Sequence, residues 1–193
     1  IKFRTTRDAR KVAGDGMEVR GGCGYIEEWS DARVLRDSHL GSIWEGTSNI
    51  VALDVFRAIR REQTLPVLSA YLERLLNKAG LDEAELAIFT TSLAKGVAAA
   101  ERVAGSPENE AEVRRIASAL YHITSAVLLA WESAQLKGDY RRLALGKLVL
   151  QHKLLPQDPL EVRVPDAQAV AELLKETPLD RDGVARLVDE QAM

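Results

Sequence analysis

The residues of this 193-residue chain whose types suit chemistry are few and gather between Gly21 and Ile50. Glu45 lies in Ser42-Ile43-Trp44-Glu45-Gly46, with an indole before it and a glycine after it. A carboxylate held against an indole loses hydration, and a poorly hydrated carboxylate is a better proton acceptor. That is the pattern of a general base. The competing reading is a first-turn glutamate complementing the dipole of the helix that follows, and spacing alone favours it. Gly21-Gly22-Cys23-Gly24 is a second candidate, since backbone amides in such a run can approach a phosphate. It follows a helical pattern rather than a strand, so it fails the context test for a dinucleotide-binding turn, and a tight turn is the favoured reading. Cys23 has no His and acid partners at a spacing that supports nucleophilic catalysis, and it reads as a small packing residue. His39, His122 and His152 stand apart in the sequence, and no metal-ligand spacing emerges.

Composition bounds what these residues serve. Hydrophobic content of 46% and charged content of 28% are those of an ordinary globular chain. A single cysteine excludes a disulfide framework and suits a reducing compartment. No apolar run approaches the roughly 20 residues that span a bilayer. A formal net charge of −3 disfavours a general nucleic-acid binder. Charge is uneven: residues 1–20 carry six Lys and Arg against three acids, whereas residues 157–193 carry nine acids against four bases. A solvated basic helix and a solvated acidic tail account for this; a basic face meeting an anionic cofactor is the functional alternative. The chain starts at Ile1 within a helix-like run, which reads as a piece of a longer protein.

The elements that must position Glu45 and the glycines are helical. Apolar spacing predicts a helix from the start to about Arg20, ended by Gly21-Gly22. The small residues Ala13, Gly14 and Gly16 mark a possible close approach. A short helix is predicted over Glu27 to Asp37, with Arg36-Asp37 as an ion pair or cap. His39 to Gly46 reads as irregular between glycines. Thr47 or Ser48 caps a helix to about Arg60, apolar nearly all round and hence predicted to be buried, with Arg57 or a neighbouring helix to supply the partner Asp54 needs. Longer amphipathic helices follow: Pro66 to Lys78, Glu83 to Ala104 capped by Asp82, Glu108 to Leu136 with Trp131 on its seam, and Tyr140 to Leu154. A proline-broken segment near 156–165 precedes two weak helices, about Asp166 to Glu176 and Arg181 to Glu190. No stretch alternates with period two, so the fold class is all-α: an up-and-down helical bundle with an added helical extension. The expected division is residues 1–61, with the glycine-rich and Trp-Glu-Gly-Thr motifs, and residues 62–193, the extension.

Three blocks in one order resemble the C-terminal domain of the acyl-CoA dehydrogenases: Gly21-Gly22-Cys23-Gly24-Tyr25, Arg36-Asp37, and Ile43-Trp44-Glu45-Gly46-Thr47-Ser48-Asn49-Ile50. Met17-Glu18-Val19 before the glycines and Trp44 before the glutamate resemble the branch that includes the bacterial adaptive-response flavoprotein AidB. The resemblance covers about Ile1 to Arg61.

The resemblance implies an FAD-dependent oxidoreductase that introduces an α,β double bond into an acyl-CoA thioester. Glu45 matches the base that removes the α-proton, and Trp44 and Gly46 match the substrate side. Thr47, Ser48 and Asn49 match positions that contact FAD. Glu18, Val19, Arg20, Gly21 and Gly22 match a segment that reaches the FAD of a neighbouring subunit, although many relatives carry Gln where Glu18 stands. Also implied are a homo-oligomer, electron-transfer flavoprotein as acceptor, and a bacterial cytoplasmic or eukaryotic mitochondrial matrix location. The family's other domains have no counterpart here, so weak or absent FAD binding and no turnover are expected of these residues alone. Two alternatives stay open: a stress-response flavoprotein of the AidB kind with a DNA-associated role, and a non-catalytic helical module for oligomerisation.

Overall fold

The structure is a computed structural model that describes residues 1–155, 160 and 166–188. Every regular element among the described residues is a helix, as the absence of period-two alternation predicts. The proline-broken segment and the far end of the last predicted helix lie outside the described residues. The chain divides into two compact units, Ile1–Glu62 with Val103–Ser118, and Gln63–Arg102 with Ala119–Met193. The stretch Val103–Ser118, which the sequence assigns to the extension, therefore groups with the first unit.

In the first unit, α1 (Lys2–Val19) is followed by a single helical turn, α2 (Gly22–Tyr25), then by α3 (Asp31–Leu40) and α4 (Ser48–Glu62). The glycine run is thus more than a helix stop. Gly21 takes φ 59°, a conformation that costs other residues energy, and turns the chain back on itself. Gly24 is buried against α1: a Cβ there would lie 2.2 Å from the Met17 carbonyl oxygen. Of the small residues Ala13, Gly14 and Gly16, Gly14 meets α3, where a Cβ would lie 3.9 Å from Leu35 Cδ1, while nothing lies within 4 Å of a Cβ at Gly16; the tighter approach is at Gly24. Cys23 is exposed, not packed. α3 starts four residues later than predicted, because residues 26–30 form the bend between α2 and α3. Arg36 reaches back over that bend to Glu27, at 2.5 and 3.1 Å, while Asp37 pairs with Arg33 at 3.6 Å, so adjacent Arg36 and Asp37 have separate partners.

α4 corrects a second expectation. Only Ala52 and Phe56, one turn apart, are buried; Val51, Leu53 and Val55 are half-buried and Ile50 is 50% exposed. A single face of the helix turns inward, despite apolar residues all round. Asp54 does pair with Arg57. At its far end Arg60 donates from Nε to the Ala104 carbonyl (2.7 Å), which joins α4 to the Val103–Ser118 stretch.

In the second unit, α5 (Thr64–Leu76), α8 (Arg141–Lys153) and the parts of α6 (Glu83–Gly105) up to Arg102 and of α7 (Val113–Gln135) from Ala119 share one apolar core. Leu72, Leu76, Phe89, Leu93, Val127 and Leu143 are among its buried residues, with Trp131 packed at its edge. The start of α6 is a reciprocal cap. The Glu85 amide donates to Asp82 Oδ1 (2.8 Å), and the Asp82 amide donates to Glu85 Oε2 (3.1 Å). Between α6 and α7, in the Val103–Ser118 stretch of the first unit, a 3₁₀ turn, Pro107–Glu112, capped by the Ser106 hydroxyl, stands where the sequence predicts the start of α7. α9 (Ala167–Leu174) and α10 (Arg181–Leu187) carry Asp166 and Asp180 as N-caps, and pack Ala169, Val184 and Leu187 against Ala144 of α8.

The second unit also buries charge. Lys147 (2% exposed) meets Glu85 (5% exposed) at 2.9 Å, and Arg181 reaches the same carboxylate at 3.2 Å. Burial pushes the Glu85 carboxyl up, but hydrogen bonds and charge from Lys147, the Asp82 amide and Arg181 outweigh it, and the group lies below the usual carboxylate range. Arg181 also lies over the Tyr140 ring, 4.8 Å from its centroid.

Candidate active-site turn and glycine segment

Glu45 sits on a tight turn between α3 and α4. The turn begins as a continuation of α3: Ser42 donates its amide to the His39 carbonyl (3.1 Å), and Ile43 and Trp44 donate theirs to Leu40 (3.0 Å each). The chain then reverses at Glu45, with φ 58°, and Gly46, with φ 108°. A left-handed glutamate is uncommon and costs on the order of 1 kcal/mol or more. α4 begins at once: Val51 donates its amide to the Thr47 carbonyl (3.0 Å).

What fixes the turn comes from the first two turns of α1. Lys2 Nζ donates to the Trp44 carbonyl and, at 3.1 Å, to Glu45 Oε2. Thr6 is the second contact: a Cβ at Gly41 would lie 3.2 Å from its methyl carbon, so both ends of the turn abut α1. The Thr6 hydroxyl donates to the Lys2 carbonyl (2.9 Å), which ties the two contacting residues together.

The shielding expected of Trp44 is not present. The Glu45 side chain is 85% exposed and Trp44 is 65% exposed. Glu45 is therefore held through its backbone angles and Lys2, with its carboxylate open to whatever approaches the turn. Beside it Gly46 and Ser48 are half-buried, and Thr47 and Asn49 are exposed.

The glycine segment lies elsewhere. Lys2 and Glu18 stand near opposite ends of the 18-residue α1, about 25 Å apart at roughly 1.5 Å of rise per residue. The structure thus brings Trp44, Glu45, Gly46 and Thr47 to Asn49 together at one end of α1, and Glu18 to Gly22 at the other. Glu18, Val19, Arg20, Gly21 and Gly22 are all exposed. Glu18 and Gly21 line an open groove of about 600 Å³ with Arg10, Lys11 and Tyr25. Lys11 is paired there with Asp15 at 2.9 Å. No atom lies within 4 Å of a Cβ at Gly21 or Gly22, so their backbone is open to a ligand. Arg20 points away: its guanidinium lies 5.1 Å from the Trp29 ring centroid and 3.6 Å from Asp31. Met17 and Tyr25, which line that groove, also line a second open groove of about 510 Å³ with Ile26 and Leu35.

The family model for the acyl-CoA dehydrogenase C-terminal domain matches residues 1–60. The match takes in both the Glu45 turn and the glycine segment. Relatives match stretches of 61 to 105 residues. The acyl-CoA dehydrogenase family member 11 of Caenorhabditis elegans is 32% identical over 87 residues, 45% of this chain and 14% of its own. The putative acyl-CoA dehydrogenase AidB of Escherichia coli is 39% identical over 61 residues, 32% of this chain and 11% of its own. The 3-methylmercaptopropionyl-CoA dehydrogenase of Ruegeria pomeroyi is 33% identical over 105 residues, 54% of this chain and 16% of its own. This chain spans less than a fifth of the length of each of these relatives. No solved structure matches it.

The matched segment holds every candidate residue of both clusters. Lys2 and Thr6 are additions that sequence reasoning missed, since no local pattern links a lysine in one helix to a turn 42 positions on. Among the described residues, no three of His, Cys, Asp and Glu gather as a metal-binding group, and no helix is long and apolar enough to cross a membrane.

Proposed function

We propose that residues 1–60 form one wall of the active site of an acyl-CoA dehydrogenase, with Glu45 as the base that takes the α-proton of an acyl-CoA thioester. The observation that carries this reading is the Glu45 turn: an accessible carboxylate on a backbone held from a separate helix, inside the segment that matches the family. A base must be presented in a fixed place to act, and the strained φ of Glu45 with its Lys2 contact supplies that fixity. Gly46 lets the chain reverse beside the carboxylate, where a Cβ would lie 3.0 Å from Ile50 Cγ2, and Trp44 offers an apolar surface to a substrate that would also exclude water from the base.

The residues present fit FAD at two places. Thr47, Ser48 and Asn49 would hold it near Glu45, and Gly21 and Gly22, with open backbone beside Arg10, would meet a phosphate-bearing ligand at the other end of α1. When bound, FAD supplies the acceptor for the hydride that leaves the β-carbon. The 25 Å scale of α1 supports the view that the two places serve different FAD molecules in a homo-oligomer. Glu18 faces the same groove as Gly21, and its charge opposes a phosphate there, so Arg10 and the glycine backbone are the better contacts. Electron-transfer flavoprotein is the proposed acceptor of the electrons.

The remaining walls come from outside these residues, so this chain alone is expected to bind FAD weakly and to lack turnover. The test is α-proton exchange: flavin-loaded enzyme containing this segment, incubated with acyl-CoA in deuterium oxide, should wash deuterium into the α-position, and Glu45→Gln should stop it. Exchange that persists at the wild-type rate in Glu45→Gln removes Glu45 from the role. For this chain alone, a flavin absorbance band near stoichiometric occupancy would contradict the expectation of weak binding.

A further inference from the structure

We infer that Lys2 is a positioning residue for the Glu45 turn: its ammonium holds the Trp44 carbonyl and the Glu45 carboxylate at once, and so sets where the base stands. The inference rests on the reading of Glu45 as the base. The geometry is specific. Glu45 takes a backbone conformation that side-chain-bearing residues avoid, and such strain persists only where surroundings impose it. Within the turn the backbone bonds of Ser42, Ile43 and Trp44 run back into α3, and the reversal at Glu45 and Gly46 follows them. Lys2 reaches that point, placing one donor on the carbonyl immediately before Glu45 and another on its carboxylate. The Thr6 methyl abuts Gly41 at the other end of the turn, so α1 contacts it at both ends.

The two bonds act differently. The bond to the Trp44 carbonyl fixes the peptide that leads into Glu45, and is made whatever the charge on Glu45. The bond to Oε2 draws the carboxylate toward α1, and weakens when the carboxylate takes up a proton. The side chain is then released from Lys2 while the backbone stays held, which lets Glu45 carry a proton away without the turn collapsing. A lysine suits this use, since its three donors on a compact ammonium can serve two acceptors at once. An exposed pair of this kind contributes little to global stability, so its loss should be felt locally.

The test uses Lys2→Met and Lys2→Arg with two readouts. In this chain, amide hydrogen exchange at Trp44 should quicken at least fivefold in Lys2→Met, with the thermal midpoint of the fold nearly unchanged. In flavin-loaded enzyme containing this segment, kcat should fall tenfold or more with KM for acyl-CoA within twofold, and Lys2→Arg should recover much of the loss. A Lys2→Met variant whose Trp44 exchange and kcat both match wild type overturns the inference. Failure of the underlying reading looks different: Glu45→Gln then retains turnover, whatever Lys2→Met does.

Discussion

Lys2 and Glu45 are 43 positions apart in the sequence, and their charged ends are 3.1 Å apart. The contact joins the first turn of α1 to a residue whose φ of 58° puts it in the left-handed region. The central motif of the chain is therefore a strained turn held from a distance, and the strain can be measured. Glycine adopts this φ without penalty. Glu45→Gly is expected to stabilise the chain by about 0.5–1 kcal/mol, the relief of a left-handed side chain less the entropy glycine adds to the unfolded state. Glu45→Ala keeps the strain and loses only an exposed ion pair, so it should stay within about 1 kcal/mol of wild type. Chemical denaturation of the two variants separates these outcomes.

Gly24 tests the packing behind the glycine segment. A Cβ there meets the Met17 carbonyl oxygen at 2.2 Å and Arg20 Cβ at 2.9 Å, both on or beside the α1 backbone. Gly24→Ala is expected to cost about 2 kcal/mol or more, because the backbone must shift. Gly96→Ala is the control. Its Cβ also meets an atom at 2.2 Å, but that atom is Ile123 Cδ1, the free end of a side chain that can rotate away. It should cost clearly less, and equal losses in the two variants would refute the difference drawn here.

Glu85 gives the fold a pH dependence of known sign. Its folded carboxyl lies below the ordinary value of 4.5. A depressed carboxyl contributes stability above its unfolded pKa, and that contribution is lost as pH falls through the lower, folded one. Thermal midpoints should therefore drop as pH is taken below about 4.5, the ordinary carboxyl value, and Glu85→Gln should flatten this part of the profile.

Lys147→Met leaves that buried carboxylate without its closest cation and is expected to cost about 3 kcal/mol at neutral pH. Combining it with Glu85→Gln should return a large part of the loss, since a charge no longer sits uncompensated in the core. Additive losses in the double variant would mean that the two residues act independently.

Much of the helical order was legible because amphipathic spacing and caps are local signals. Asp82 at the start of α6 and Asp54 with Arg57 follow from residues three or four apart. Three readings failed where the deciding interaction was not local. Ile50 looked buried by composition, but which face of α4 turns inward depends on where its neighbours lie. α3 began late because residues 26–30 form a bend after α2, over which Arg36 bonds to Glu27, nine positions back, rather than to adjacent Asp37. Cys23 looked like packing because it sits between glycines, yet the buried member of that run is Gly24. At the candidate site, Glu45 and its glycine neighbour were visible as a motif. The indole shield was not realised, and Lys2 gave no signal, because only the fold brings the start of α1 to the Trp44 carbonyl.

The role of Glu45 in acyl-CoA dehydrogenation is the centre of this account, and turnover by Glu45→Gln in flavin-loaded enzyme containing this segment tests it most directly. Glutamine keeps the size of the side chain and a hydrogen bond to Lys2, but cannot accept the α-proton. The account predicts that acyl-CoA-dependent reduction of an external acceptor falls by at least a thousandfold while flavin content stays at the wild-type level. Turnover within tenfold of wild type, with flavin retained, would contradict it.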